Sequence, residues 1–193
     1  MRRSVKLAGC AFLMAAAARA QAPTTTSTQM MAARPAPAAL TGFRADYVAD
    51  AERVGKKMID LAEAMPADKY GWRPAAGVRS VGEVYVHVVA SNNFYVGLLG
   101  GRPVEGVSFD SEKTMTDKAQ IVAALKKSME SVRAAGAAVS DADMDRKVKL
   151  SRGRELTERG VMLQVLTHTH EHLGQSIAYA RMNGVTPPWS QAE

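Results

Sequence analysis

Three of the chain's four histidines fall within nine residues near its C-terminus, Thr167-His168-Thr169-His170-Glu171-His172-Leu173-Gly174-Gln175. The fourth, His87, stands far earlier in another apolar run. Imidazole is the commonest protein ligand for transition metals because it is neutral and basic near neutral pH. On an α-helix, residues four apart lie about 40° from one another and one turn apart. His168 and His172 therefore share a face and can grip one ion, a spacing also used by helical metalloprotease motifs. His170 lies about 200° from His168, which removes it from the pair and excludes an H-x-H site. It is expected as a partly exposed helix residue.

The same helical wheel places Val161, Met162, Val165, Leu173 and Ile177 on one flank of the pair. Gln164, Glu171 and Gln175 fall on the other, so the pair sits where a buried stripe meets a polar edge. Tyr179 points the same way one turn on. His87 has Glu83 one turn before it and Ser91 one turn after, with Phe94 and Leu98 expected to continue that face inward. A helix carrying His87 beside the His168/His172 helix supplies a third nitrogen. Three neutral imidazoles leave a divalent ion open to water, the arrangement of a catalytic zinc site. Glu83, Gln164 and Gln175 are candidates to fix imidazole tautomers from behind. Glu171 is either a fourth ligand or general base, or a solvated surface acid, and its angle favours the surface. Gly174 lowers helix stability by roughly 1 kcal/mol relative to alanine, which points to close packing there against another helix.

The elements that must hold these residues are legible as amphipathic helices. Phe43, Tyr47, Val54, Met58, Leu61 and Met65 recur at three- and four-residue steps from about Leu40 to Met65, and Pro66 closes that helix. Trp72 in the following loop reads as a hydrophobic plug with no chemical role. Ser80-Val81-Gly82-Glu83 has the form of a capping box, opening a second helix to about Leu99 before Gly100-Gly101 and Pro103. Residues 102–115 carry no pattern and read as loop. Ile121, Leu125, Met129 and Val132 mark a third helix over Thr116 to Val139. After a charged connector, Asp141 to Arg154, Thr157 caps a fourth helix ending at Asn183-Gly184, with Pro187-Pro188 beyond. No strand series, internal repeat or phosphate-binding glycine loop is evident. Four such helices predict an all-α, four-helix-bundle domain over residues 40–193.

Residues 1–20 read as a signal peptide. Arg2, Arg3 and Lys6 precede a short apolar run, and Ala18-Arg19-Ala20 offers a cleavage site. The run is too short to anchor the chain in a bilayer. Leu7-Ala8-Gly9-Cys10 is a weaker alternative, a lipoprotein box. Residues 21–39 are rich in Thr, Ala and Pro and form a flexible spacer. Removal of the leader takes four cations and no acid, so the formal charge falls from +6 to +2. The basic balance is thus a targeting feature and argues against nucleic-acid binding. Cys10 leaves as well, which excludes disulfides, thiolate metal sites and a cysteine nucleophile from the mature chain. The mature protein is expected in the periplasm or outside the cell, with no integral membrane segment.

With these residues in place the chain resembles the DinB-like (DinB/YfiT-like) family of metal-dependent bundle proteins. The resemblance spans about Leu40 to Trp189. It rests on Arg79-Ser80-Val81-Gly82-Glu83 leading to His87-Val88, on His168-x-x-x-His172-Leu173-Gly174-Gln175, and on Tyr179-x-Arg181-Met182-x-Gly184-Val185-x-Pro187-Pro188. It implies a four-helix bundle of up-down-down-up connectivity, often a homodimer. It implies that the family's metal ligands fall on His87, His168 and His172, with zinc or nickel as the ion. Characterised relatives include transferases and isomerases that use bacillithiol or mycothiol. An exported chain departs from these, because such thiols belong to the cytoplasm. The reading that follows is an exported metal-dependent hydrolase or transferase acting on an unidentified small molecule. The alternatives are a non-catalytic metal-binding or stress-related bundle, and a bundle whose histidines hold no metal.

Overall fold

A computed structural model describes residues 40–150 and 153–190. The leader and spacer expected over residues 1–39 lie outside the described residues. Four α-helices form the domain: α1 (Gly42–Ala64), α2 (Val81–Leu98), α3 (Lys118–Ala138) and α4 (Glu158–Met182). Each starts or stops on a local signal. The Ser80 hydroxyl accepts from Glu83 N while Glu83 accepts from Ser80 N, the reciprocal capping box that opens α2. Asp117 caps α3 and Thr157 caps α4 through their side chains. Gly184, at φ 72°, takes the left-handed turn after α4 that a side chain would strain.

Contacts along the helices give their directions. Near the start of α1, Arg44 donates to Val139 O, and at its end Lys118 Nζ donates to Glu63 O and Met65 O, so α1 and α3 are antiparallel. Gly82 lies against Ile121, Asn92 against Ser128 and Gly101 against Ala135, so α2 and α3 run parallel. Phe43 meets Arg159, Asp50 meets His170 and Met58 meets Ser176, so α1 and α4 are parallel as well. Arg79 O accepts from Tyr179 while Tyr95 lies on His168, which sets α2 against α4 in opposite directions. The result is an up-down-down-up bundle, and the long excursion from α2 to α3 is what allows two consecutive helices to run the same way.

The core is built from the residues that the helical periods single out. Tyr47, Val54, Met58 and Leu61 of α1, with Met65 just beyond its end, face Ile121, Leu125 and Val132 of α3, all nearly inaccessible. Trp72 is half-buried and packs edge-on against Tyr179 at 5.4 Å, the plug expected of it. Among the described residues, no helix is long and apolar enough to cross a membrane.

Three features differ from the sequence reading. The connector before α4 contains a small antiparallel hairpin, β1 (Lys147–Lys149) with β2 (Glu155–Thr157). Strands of three residues are too short to leave a periodic signal; the hairpin is tied down by Arg146, which pairs with the fully buried Glu158. The patternless stretch 102–115 includes a 3₁₀ turn, Phe109–Lys113. Gly174 is exposed, and a Cβ built there would meet nothing within 4 Å, so close helix packing is not its reason.

Candidate metal centre

His87 projects from the middle of α2, and His168 and His172 from successive turns of α4. One nitrogen from each lies within 4.8 Å of the others. Ring centroids are separated by 4.5 Å for His168 and His172, 4.8 Å for His87 and His172, and 5.2 Å for His87 and His168. His87 Nε2 and His168 Nε2 approach to 3.2 Å. His172 is buried and lies deepest; the other two are half-buried. His170 points elsewhere, exposed and 3.2 Å from Asp50 on α1, as its helical phase requires.

The outward nitrogens are committed to partners that determine what the inward ones offer. His87 Nδ1 lies 2.7 Å from Glu112 Oε1. Burial alone would raise the Glu112 carboxyl, but hydrogen bonds from Arg79 and His87 outweigh it and hold the group below its ordinary range. An ionised carboxylate only accepts, so Nδ1 of His87 carries the proton and Nε2 presents a lone pair. His172 Nδ1 lies 2.8 Å from Gln175 Oε1, whose amide nitrogen in turn donates to the Tyr179 hydroxyl at 3.0 Å. That fixes Gln175 as acceptor toward the ring and frees His172 Nε2 in the same way.

These supports form one continuous chain around the back of the site. Tyr179 donates to Arg79 O at 3.3 Å, and the Arg79 guanidinium grips Glu112 through Nε at 2.7 Å and Nη2 at 3.3 Å. From His87 through Glu112, Arg79, Tyr179 and Gln175 to His172, every link is a hydrogen bond. His168 stands outside it: its Nδ1 is buried and has no hydrogen-bond partner. Burial first, and then the closeness of two other imidazoles and the Arg79 guanidinium, which disfavours a further positive charge, pushes His168 down to about 4. Burial likewise lowers His87, against the opposing pull of Glu112. Both are neutral at pH 7, the form in which imidazole binds a metal.

The described residues fit an imidazole-bound divalent ion on the chemistry of the donor set. The donors converge, two tautomers are fixed from behind, and the low pKa of His168 and of His87 keeps protons from competing. A family model, the DinB superfamily, matches residues 50–176. The chain belongs to the DinB superfamily. Solved DinB-like structures share the fold. A DinB-like protein (YjoA) from Bacillus subtilis is 21% identical with a TM-score of 0.59, covering 73% of this chain and 93% of that one. A DinB-like protein from Bacillus cereus is 17% identical with a TM-score of 0.61, covering 74% and 93%. YfiT from Bacillus subtilis, described as a probable metal-dependent hydrolase with an unusual four-helix bundle topology, is 18% identical with a TM-score of 0.59, covering 78% and 94%. No curated protein matches the chain.

Of the supporting residues expected in this DinB-superfamily chain, Gln175 takes the predicted role. Glu83 does not: its carboxylate accepts from Ser80 N, Arg73 and Lys113 and makes no hydrogen bond to a histidine. The cap orients it back along its own helix end. Gln164 makes no hydrogen bond to a histidine and lies toward the Tyr95 hydroxyl instead. Glu171 is exposed, as its angle implied. Phe94 is 43% exposed, where an inward position was expected. It follows the same stripe as His87, but that stripe leads out of the site toward solvent.

Glu112 was missed. It lies in a segment without periodicity, and its only sequence signal is a capping-like Ser108 three residues before Ser111. Asn93 delivers it: its amide donates to Val104 O and Val107 O and accepts from Val104 N, pinning the loop that leads into the 3₁₀ turn.

Proposed function

We propose that His87, His168 and His172 hold one divalent ion, zinc or nickel, and that the protein is an exported metal-dependent hydrolase or transferase acting on a small molecule. The observation that carries this reading is the convergence of three nitrogens within 4.8 Å, with two of the rings locked by hydrogen bonds from outside. Three protein ligands leave a coordination position for water or substrate, whereas structural sites close all four. A bound ion in such a site acts as a Lewis acid and lowers the pKa of coordinated water. The protein's own contribution is to keep the imidazoles neutral, aim their lone pairs inward and hold α2 and α4 at fixed separation. The description of YfiT as a probable metal-dependent hydrolase supports the same class.

A second reading has an observation of its own. Among the described residues no carboxylate stands free beside the triad to serve as a base: Glu112 is bound to Arg79 and His87, and Glu83 to Ser80, Arg73 and Lys113. A non-catalytic bundle, in which the ion ties α2 to α4, needs no such base. Assembly as a homodimer fits either reading.

The test is metal content of untagged protein. His172→Ala is expected to abolish metal retention and His170→Ala to leave it intact. Equal loss in both variants, or a metal-free parent, overturns the assignment. Exchange of azide onto the bound ion separates an open site from a closed structural one.

A further inference from the structure

Rings make an unbroken series across the solvent side of the triad. Phe109 lies 5.8 Å from His87, His87 5.2 Å from His168, His168 6.1 Å from Tyr95, and Tyr95 5.4 Å from Phe94. The two phenylalanines that end the series are among the few large apolar side chains left exposed, Phe109 at 51% and Phe94 at 43%. The chain has four phenylalanines; Phe12 lies outside the described residues and Phe43 is covered by Arg159. The two exposed rings therefore stand at the ends of a series that passes through His87 and His168.

Orientation follows from burial. His172 lies deepest, backed by Gln175 and Tyr179. The half-buried His87 and His168 each carry an aromatic neighbour, so the open side of the site is walled by Phe109 and by Tyr95 with Phe94. Behind the ligands the character reverses. That cleft is lined by Arg79, Glu112, Lys113 and Gln175, and its charges are already paired, Arg79 with Glu112 and Lys113 with Glu83. Val78 is the one large apolar side chain lining that cleft, whereas on the aromatic side edge and face contacts to Phe and Tyr add to plain burial of a flat apolar group.

We infer that Phe94, Tyr95 and Phe109 form a specificity subsite for a substrate carrying a planar, uncharged apolar group next to its metal-binding head. This rests on the metal assignment above. Asn93 supports the subsite, because the loop it pins carries Phe109. Substrate discrimination then resides in three residues that touch no metal.

The probes are acetohydroxamate and benzohydroxamate, which present the same chelating head with a methyl or a phenyl group. Binding to the zinc-loaded full chain is measured by calorimetry. Benzohydroxamate is expected to bind roughly tenfold more tightly, the scale of one buried ring face. Phe94→Ala and Phe109→Ala together are expected to erase that ratio while leaving zinc content, melting temperature and acetohydroxamate affinity unchanged. Equal affinities in the parent, or a preference that survives both substitutions, overturns the subsite. So does an equal loss for both probes, which makes the phenylalanines props for the imidazoles. A parent that retains no zinc overturns the metal assignment instead, and one that retains zinc but binds neither probe overturns the open site on which the subsite rests.

Discussion

Between α1 and α3 the contact surface closes around Tyr47, Met58, Leu61, Leu125 and Val132, all essentially inaccessible. The seam between α2 and α4 has His87, Ser91, His168 and His172 at its centre. The first seam is finished by subtraction: Gly136 has no Cβ, and the Tyr47 ring occupies that space while its hydroxyl donates to Val132 O. The second is finished by addition, with Glu112, Arg79, Tyr179 and Gln175 satisfying polar atoms that the helices leave over. One seam gains stability from buried apolar contacts; the other gives up apolar burial for a set of aimed lone pairs. A bundle of this size can carry such a polar seam because the opposite one is dry and tightly packed.

Four substitutions break or sharpen this contrast. The largest effect is expected from Gly136→Ala. Its new Cβ would collide with Tyr47 Cε1 and Cδ1, a ring that is buried and tied by its hydroxyl to Val132 O. A loss of about 3 kcal/mol is expected from overpacking, read as a lower urea midpoint, with metal stoichiometry of the folded fraction unchanged.

Glu112→Ala attacks the other seam and should show the reverse. Removing the partner that fixes His87 costs roughly 10- to 100-fold in metal affinity, measured by chelator competition, while the midpoint of the metal-free protein barely shifts. Gln175→Ala removes an equivalent partner, but one on the same helix as its histidine. His172 keeps its rotamer through burial in α4, so the loss should be several-fold and smaller than at Glu112. If Gln175→Ala is the more damaging, the outer chain is anchored on α4 and not on the 3₁₀ turn.

Glu83→Gln gives the smallest effect and one with a pH signature. Burial would raise this carboxyl, yet hydrogen bonds from Lys113, Ser80 N and Arg73 hold it down at about 2, below the ordinary value near 4.3. A depressed folded-state pKa contributes stability that is complete above the unfolded value and is lost as pH falls toward the folded one. The melting temperature of Glu83→Gln should therefore lie below the parent's at pH 7, and the two should converge between pH 5 and pH 2. A constant gap across that range would mean that the carboxylate's charge contributes nothing.

Much of the dry seam was written in the spacing of apolar residues. Periodicity reports which side of a helix avoids water, and Tyr47, Val54, Met58 and Leu61 all obey it. The His168/His172 pair was equally legible, because four residues along one helix fix a geometry with no help from the rest of the chain. Phe94 shows where that logic stops. Its phase matches His87, yet the face they share lines an opening, and periodicity cannot distinguish a face turned to a cavity mouth from one turned to the core. Glu83 shows the same limit: its position one turn from His87 suggested support, but a capping box had already claimed its carboxylate.

By itself the sequence determined the four helices, the caps of α2 and α4, the paired imidazoles of α4 and the exclusion of His170, since each depends on angles within a few turns. Only the tertiary structure decided which carboxylate serves His87. Glu112 reaches it from a 3₁₀ turn 25 residues along the chain, held by Asn93 and gripped by Arg79. Contacts of that kind are set by where a loop lands on the finished bundle, and no local pattern encodes them.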